Sequence, residues 1–237
     1  LDIANFTSAT ESLQPEELTT LLNEYFTEMS RIALYHGATI DKFIGDAILV
    51  FFGDSETKGV AEDARACMRM ALEMRSRLQE LNAEWRQRGF EHPFRARIGI
   101  NTGYCNVGNF GSEERMDYTI IDAEANLAAR LEPIAEPGGI VMSYETFVLV
   151  QDMVEAKQLE PAKFKGIARE VIPYAVRSVA QTPKAQSIDV MNERLPGIRL
   201  FLDVEAMDDS NIDSAKKMLE NALQAVASRK AVSPASS

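Results

Sequence analysis

The chain is poor in cysteine, histidine and basic charge, and it has no long apolar run. Its two cysteines, Cys67 and Cys105, form no CxxC pair. That argues against a redox pair and suits a reduced, cytoplasmic setting. Of its two histidines, His36 falls at a helix end and His92 stands before Pro93, so both read as surface or structural residues. Lys and Arg number 25 against 36 Asp and Glu, a formal net charge of −11. A nucleic-acid binder needs a basic footprint, so that class is disfavoured. A polyphosphate site would have to gather its few cations locally. No apolar stretch approaches the ~18–20 residues of a membrane span, and no signal-peptide pattern opens the chain.

What is present is a buried core in the making. Hydrophobic residues make up 46% and charged residues 26% of the 237 positions. These are the proportions of a soluble globular protein with one sizeable domain and an appendage, or two small domains. The chain opens at Leu1 without Met, inside a strand-like segment, and is expected to be a fragment whose upstream anchor or sensor lies elsewhere.

Periodicity supplies the elements. Leu18, Leu21, Leu22, Tyr25, Phe26, Met29, Ile32 and Ala33 recur at helical spacing, which predicts a helix from Pro15 to His36. Thr39–Ile44 and Ala47–Phe52 read as strands joined at Gly45-Asp46. A long helix is expected from Val60 to about Arg88, then strands at Phe94–Asn101, Tyr104–Gly108 and Met116–Ile121. A helix from Ala123 to about Ile134, a strand at Ile140–Met142, a helix at Tyr144–Asp152 and a hairpin with arms Ala162–Lys165 and Glu170–Val176 follow. The order β-α-β-β-α-β with additions predicts a ferredoxin-like α/β sandwich. Residues 1–180 are expected to form one domain. Gln181–Ser187 reads as a linker, Ile198–Val204 as a strand, about 212–229 as an amphipathic helix, and Ala231–Ser237 as a disordered end. No internal repeat is found.

The chemistry gathers around Lys42-Phe43-Ile44-Gly45-Asp46 and Asp2. Mg²⁺ takes few carboxylates together with water and substrate phosphates, so two aspartates at the ends of adjacent strands suit a pair of such ions. Alone, the two residues read more readily as a terminal charge and a turn aspartate. Asn126 and Arg130 are four apart and share a helix face, which suits a sugar and a phosphate oxygen. Alone, they read as an ordinary polar face.

Taken in order, the pieces become specific. Asp2-Ile3-x-x-Phe6-Thr7, Lys42-x-x-Gly45-Asp46, Arg97-Ile98-Gly99-Ile100-Asn101-Thr102-Gly103, Asp117-Tyr118-Thr119 and Asn126-x-x-Ala129-Arg130-Leu131 together resemble the class III nucleotidyl cyclase catalytic domain. Lys165-Gly166 followed by Tyr174-x-Val176 is similar to its closing hairpin. The resemblance covers about residues 1–178 and is nearest to bacterial adenylyl cyclases, including output domains of membrane-anchored pseudomonad enzymes.

The resemblance implies roles. Asp2 and Asp46, with the Ile3 carbonyl, would bind two Mg²⁺ or Mn²⁺ ions. Arg97 and Lys165 would approach the triphosphate, Lys42 and Thr119 the base, Asn126 the ribose and Arg130 the α-phosphate. It also implies a head-to-tail homodimer with sites at the interface, making cyclic AMP and pyrophosphate from ATP. Many family members carry Asp where this chain has Thr119. Two other readings compete with an active homodimeric adenylyl cyclase. A catalytically silent, cyclase-like regulatory domain would be expected to lack an aspartate, and both are present. A diguanylate cyclase would carry Gly-Gly-[Asp/Glu]-Glu-Phe, and Gly45-Asp46 is followed by Ala47-Ile48.

Overall fold

In the computed structural model, residues 1–7, 13–54, 57–91, 94–112, 114–180, 190–195, 198–203 and 209–231 are described. They fall into two units, Leu1–Lys184 and Ala185–Ser237.

The first unit begins with β1 (Asp2–Ile3), α1 (Pro15–Tyr35), β2 (Thr39–Ile44), β3 (Ala47–Phe51), α2 (Val60–Gln87) and β4 (Ala96–Ile100). β1 pairs antiparallel with β4, and β2 with β3. Leu1 and Ile48 exchange backbone hydrogen bonds, the Ile48 N–H to the Leu1 carbonyl at 2.8 Å and the Leu1 amine to the Ile48 carbonyl at 3.3 Å. The strands therefore lie in the order β4-β1-β3-β2, the ferredoxin-like arrangement expected from the element order. Pro15 occupies the first turn of α1 with Glu16 and Glu17 behind it, which suits the positive end of the helix. Leu21, Tyr25, Met29 and Ile32 on α1 and Met70, Met74, Leu78, Leu81 and Trp85 on α2 bury one core cluster with Ile3 and Ile48.

β5 (Asn106–Ser112), β6 (Arg115–Ile121), α3 (Ala123–Leu131), a 3₁₀ turn (Glu132–Ile134), β7 (Ile140–Ser143), α4 (Tyr144–Val150), β8 (Val154–Gln158) and β9 (Pro173–Val179) complete the unit. β7 runs parallel to β4 and antiparallel to β9, which pairs antiparallel with β8. β7 is buried throughout, because helices cover both faces of the sheet at this point. On β4, Ile98 and Ile100 pack in one cluster with Ala64, Met68 and Ala71 of α2. Gly99 faces α3, and a Cβ there would lie 2.2 Å from the Ala128 carbonyl oxygen and 2.5 Å from the Glu132 nitrogen. The glycine is what lets helix and strand approach.

Several boundaries differ from the expectation for physical reasons. Phe94 is buried, but its backbone is taken by the Asn82 side chain (2.7 and 2.9 Å) rather than by a strand, so β4 starts at Ala96. Pro133 tightens the end of α3 into the 3₁₀ turn. β5 starts and ends later than expected and pairs along its whole length with β6, from Asn106 opposite Ile121 to Ser112 opposite Arg115. The closing hairpin is also corrected. Its first arm is Val154–Gln158, and the expected arm contributes one bridge, Ala162 to Val171. Only the short Gln151–Met153 turn separates α4 from β8, so in sequence the strand merges with the helical pattern before it.

In the second unit, β10 (Val190–Leu195) pairs antiparallel with β11 (Ile198–Asp203), and α5 spans Asp209–Ala231. β10 was not expected, and α5 includes the expected 212–229 stripe. The Gln181–Ser187 linker and residues 232–237 of the expected disordered end lie outside the described residues. Ala231 closes α5. Among the described residues no helix is long and apolar enough to cross a membrane.

Candidate active site

The β2–β3 loop is two residues long, Gly45-Asp46, between the paired Ile44 and Ala47. Gly45 adopts φ +64°, a conformation such a loop favours at its first position and one that strains other residues. The loop aims Asp46 at β1, where its Oδ2 accepts the Ile3 backbone N–H at 3.0 Å. Asp2 stands beside it, near enough to interact side chain to side chain. The Asp46 carboxyl is held above its ordinary value, first by burial and then by the Asp2 charge.

Arg97 of β4 is in register with Asp2. Its guanidinium lies 3.3 Å from Asp2 Oδ2, and its Nε lies 2.5 Å from Glu132 Oε1. Glu132 was missed in the sequence, since nothing in Leu131-Glu132-Pro133 marks it as a partner of a residue 35 positions earlier. Burial, then the Asp2 charge, pushes its carboxyl up. The Tyr25 hydroxyl was also missed. It is fully buried without a hydrogen-bond partner among the described residues, and the Asp46 and Asp2 charges reinforce the upward shift that burial gives it. Helical periodicity assigns Tyr25 to the core and gives no hint of this neighbourhood. Asp2, Ile3, Asp46 and Arg97 are thus brought together around β1.

Lys42 and Thr119 sit on β2 and β6, which pack against each other. The β2–β3 register shifts between Ile40 and Lys42, leaving Asp41 as a bulge. Lys42 Nζ lies 3.6 Å from Asp41 Oδ2, and the Asp41 side chain is fully buried. Thr119 is buried, and its hydroxyl makes one long contact, 3.4 Å to the Ile120 carbonyl.

α3 is started by Asp122, whose Oδ1 accepts the Ala123 N–H at 2.6 Å. Asn126 and Arg130 are both exposed on this helix. Asn126 donates to the Asp122 carbonyl at 3.0 Å, and Arg130 makes no ion pair among the described residues. Lys165 is exposed in the β8–β9 loop, in a turn closed by the Ile167 N–H to the Phe164 carbonyl at 3.1 Å. Gly166 supplies the positive φ of +87° that this turn requires. No hydrogen bond or ion pair among the described residues joins Lys42, Asn126, Arg130 or Lys165 to the Asp2–Asp46 pair. His36 is engaged by Glu73 at 2.7 Å, and His92 lies outside the described residues.

Residues 1–178 match the model of the adenylate and guanylate cyclase catalytic domain family. The chain is 34% identical over 182 residues to adenylate cyclase 1 of Rhizobium meliloti, covering 76% of this chain and 27% of the relative. It is 31% identical over 163 residues to an adenylate cyclase of Anabaena cylindrica, covering 69% of this chain and 30% of the relative. It therefore spans under a third of either relative. Its structure is similar to the crystal structure of the adenylyl cyclase CyaB from P. aeruginosa, with TM-score 0.72 and 48% identity over 76% of this chain and 92% of that one. A guanylyl cyclase crystal structure is similar at TM-score 0.70 and 37% identity, over 76% of this chain and 90% of the other.

Proposed function

Since the chain belongs to the adenylate and guanylate cyclase catalytic domain family, we propose that it is an adenylyl cyclase, converting ATP to 3′,5′-cyclic AMP and pyrophosphate at sites shared across a homodimer. The observation that carries the reading is the pairing of Asp2 and Asp46 beside the Ile3 N–H, with Arg97 in register. Residues 1–180 are the catalytic domain and 181–237 a linker and a C-terminal tail that includes an amphipathic helix, in a cytoplasmic setting.

Domains of this family depend on metal ions, and the residues here fit them. Two carboxylates and the Ile3 carbonyl are hard oxygen donors of the kind Mg²⁺ and Mn²⁺ prefer. The Asp46 carboxyl is raised first by burial and then by the Asp2 charge, and a divalent cation between the two carboxylates would relieve that repulsion. No cluster of three or more His, Cys, Asp or Glu side chains suited to a metal occurs among the described residues. Water and substrate phosphates would then complete the coordination of two ions. When bound, such a pair of ions acidifies the 3′-hydroxyl and neutralises charge on the triphosphate.

The chain's residues do the rest. Arg97, steadied by Glu132, contacts the triphosphate, and Lys165 holds its terminal phosphates. Asn126 orients the ribose so that the 3′-oxygen lies in line with the α-phosphorus. That oxygen bonds to phosphorus as the bond to the bridging oxygen breaks, releasing pyrophosphate and a proton. Arg130 stabilises the charge gathered on the α-phosphate. Lys42 donates to adenine N1, an acceptor, and Thr119 accepts from the exocyclic amine. Guanine carries a hydrogen on N1 and would meet Lys42 donor to donor, at a cost of ~1–3 kcal/mol.

Asp2, Asp46 and Arg97 come from one protomer, and Lys42, Thr119, Asn126, Arg130 and Lys165 from the other. Phe43, Ile44, Met116 and Tyr118 are exposed on β2 and β6, an apolar surface suited to cover by a second copy. The test is direct. With ATP and Mg²⁺ or Mn²⁺ the chain should yield cyclic AMP and pyrophosphate, and Asp46→Asn should yield neither. Equal product from the variant would overturn the assignment.

A further inference from the structure

Arg169 lies four residues beyond Lys165 in the β8–β9 loop. Its guanidinium meets both oxygens of Glu124, at 2.8 and 3.1 Å, and Glu145 Oε1 at 3.1 Å. Glu124 stands in the first turn of α3, two residues before Asn126. It is itself fixed, since the Asn101 amide donates to its side chain at 2.8 Å and to its carbonyl at 3.0 Å. Gly103 leaves the space it fills, because a Cβ there would come within 2.6 Å of Glu124 Cγ.

The same loop is mounted on α3 by packing. Phe164 and Ile167, which flank the Lys165-Gly166 turn, pack against the cluster that includes Leu127 and Leu131 of α3. The turn is thus held to the helix by an apolar contact near its middle and by a bidentate ion pair at its first turn. A forked guanidinium–carboxylate contact fixes direction as well as distance, which a point charge does not.

We infer that Arg169 is a positioning residue: by clasping Glu124 it fixes the Lys165 turn against α3, so that Lys165, Asn126 and Arg130 meet one triphosphate as a unit. The inference rests on the proposed role of Lys165. Arg169 points at α3 and α4 and has no direct part in the chemistry. Glu145 adds a second carboxylate, so the clasp also holds the start of α4.

The experiment is a double-mutant cycle on the full chain, with cyclic AMP formation as readout. Lys165→Ala should lower kcat/KM. Arg169→Ala should lower it roughly ten-fold in the otherwise native chain and less than about two-fold in the Lys165→Ala background, as expected for residues acting through one contact. Arg169→Lys, which keeps charge but not the fork, should recover part of the loss. Amide exchange in residues 163–168 should quicken in Arg169→Ala. The same factor in both backgrounds, or no effect of Arg169→Ala, overturns the inference. Full activity of Lys165→Ala removes the proposed role of Lys165 itself, and the inference with it.

Discussion

The Ile3 backbone N–H donates to Asp46 Oδ2 at 3.0 Å, clasping the tip of the β2–β3 hairpin to β1. With the Leu1–Ile48 backbone hydrogen bonds, this bond sets Asp46 beside Asp2. Lys42 leaves the same hairpin four residues earlier, after the Asp41 bulge. In the proposed dimer the hairpin serves two sites: Asp46 holds metal in one, and Lys42 reads the base in the other.

Gly99→Ala should damage the site from beneath. The new methyl group would overlap the Ala128 carbonyl oxygen and the Glu132 nitrogen, both backbone atoms. α3 must shift, carrying Asn126 and Arg130 with it. The expected loss of stability is about 1–3 kcal/mol, read by chemical denaturation, with a fall in cyclic AMP formation. An unchanged midpoint would contradict the packing described.

Lys42→Glu combined with Thr119→Cys should turn base selection. A carboxylate accepts where adenine N1 also accepts, whereas guanine N1–H becomes its donor. The ratio of kcat/KM for ATP to that for GTP should fall by roughly tenfold or more. An unchanged ratio would show that these residues do not read the base.

Arg65 and Asp152 should make stability depend on acid. Their bidentate pair, at 2.7 and 2.8 Å, ties α2 to the turn after α4. The Arg65 hydrogen bonds hold the Asp152 carboxyl below its usual 3.8. A depressed carboxyl contributes fully above the unfolded value, and that contribution is lost as pH falls through the lower folded value. Asp152→Asn should cost about 1–3 kcal/mol at neutral pH. The gap from the native chain, measured by urea denaturation, should hold down to about pH 4 and narrow below it. A gap that widens in acid would contradict this sign.

Local features of the site were legible in the sequence. Gly45-Asp46 between two apolar strands could only be a tight turn, and the four-residue step from Asn126 to Arg130 sets both on one helix face. The order of the elements carried the fold, and the ordered motifs carried the family. What was not legible was pairing at a distance. The β1–β4 register sets Asp2 opposite Arg97, and the half-buried Glu132 closes on the same guanidinium. Neither follows from spacing along the chain, because register is decided by tertiary packing. Glu124 and Arg169 are hidden for the same reason, 45 residues apart. β8 was missed because a five-residue strand directly after a short helix offers too few alternations to stand out.

The shared site is the central claim, and mixing two inactive variants tests it most directly. Asp46→Asn and Arg130→Ala should each be nearly inactive alone. Mixed in equal amounts and allowed to exchange, half of the dimers are heterodimers with one intact site, so about one quarter of native activity should return. No recovery, with heterodimers demonstrated in the same sample, would contradict the account.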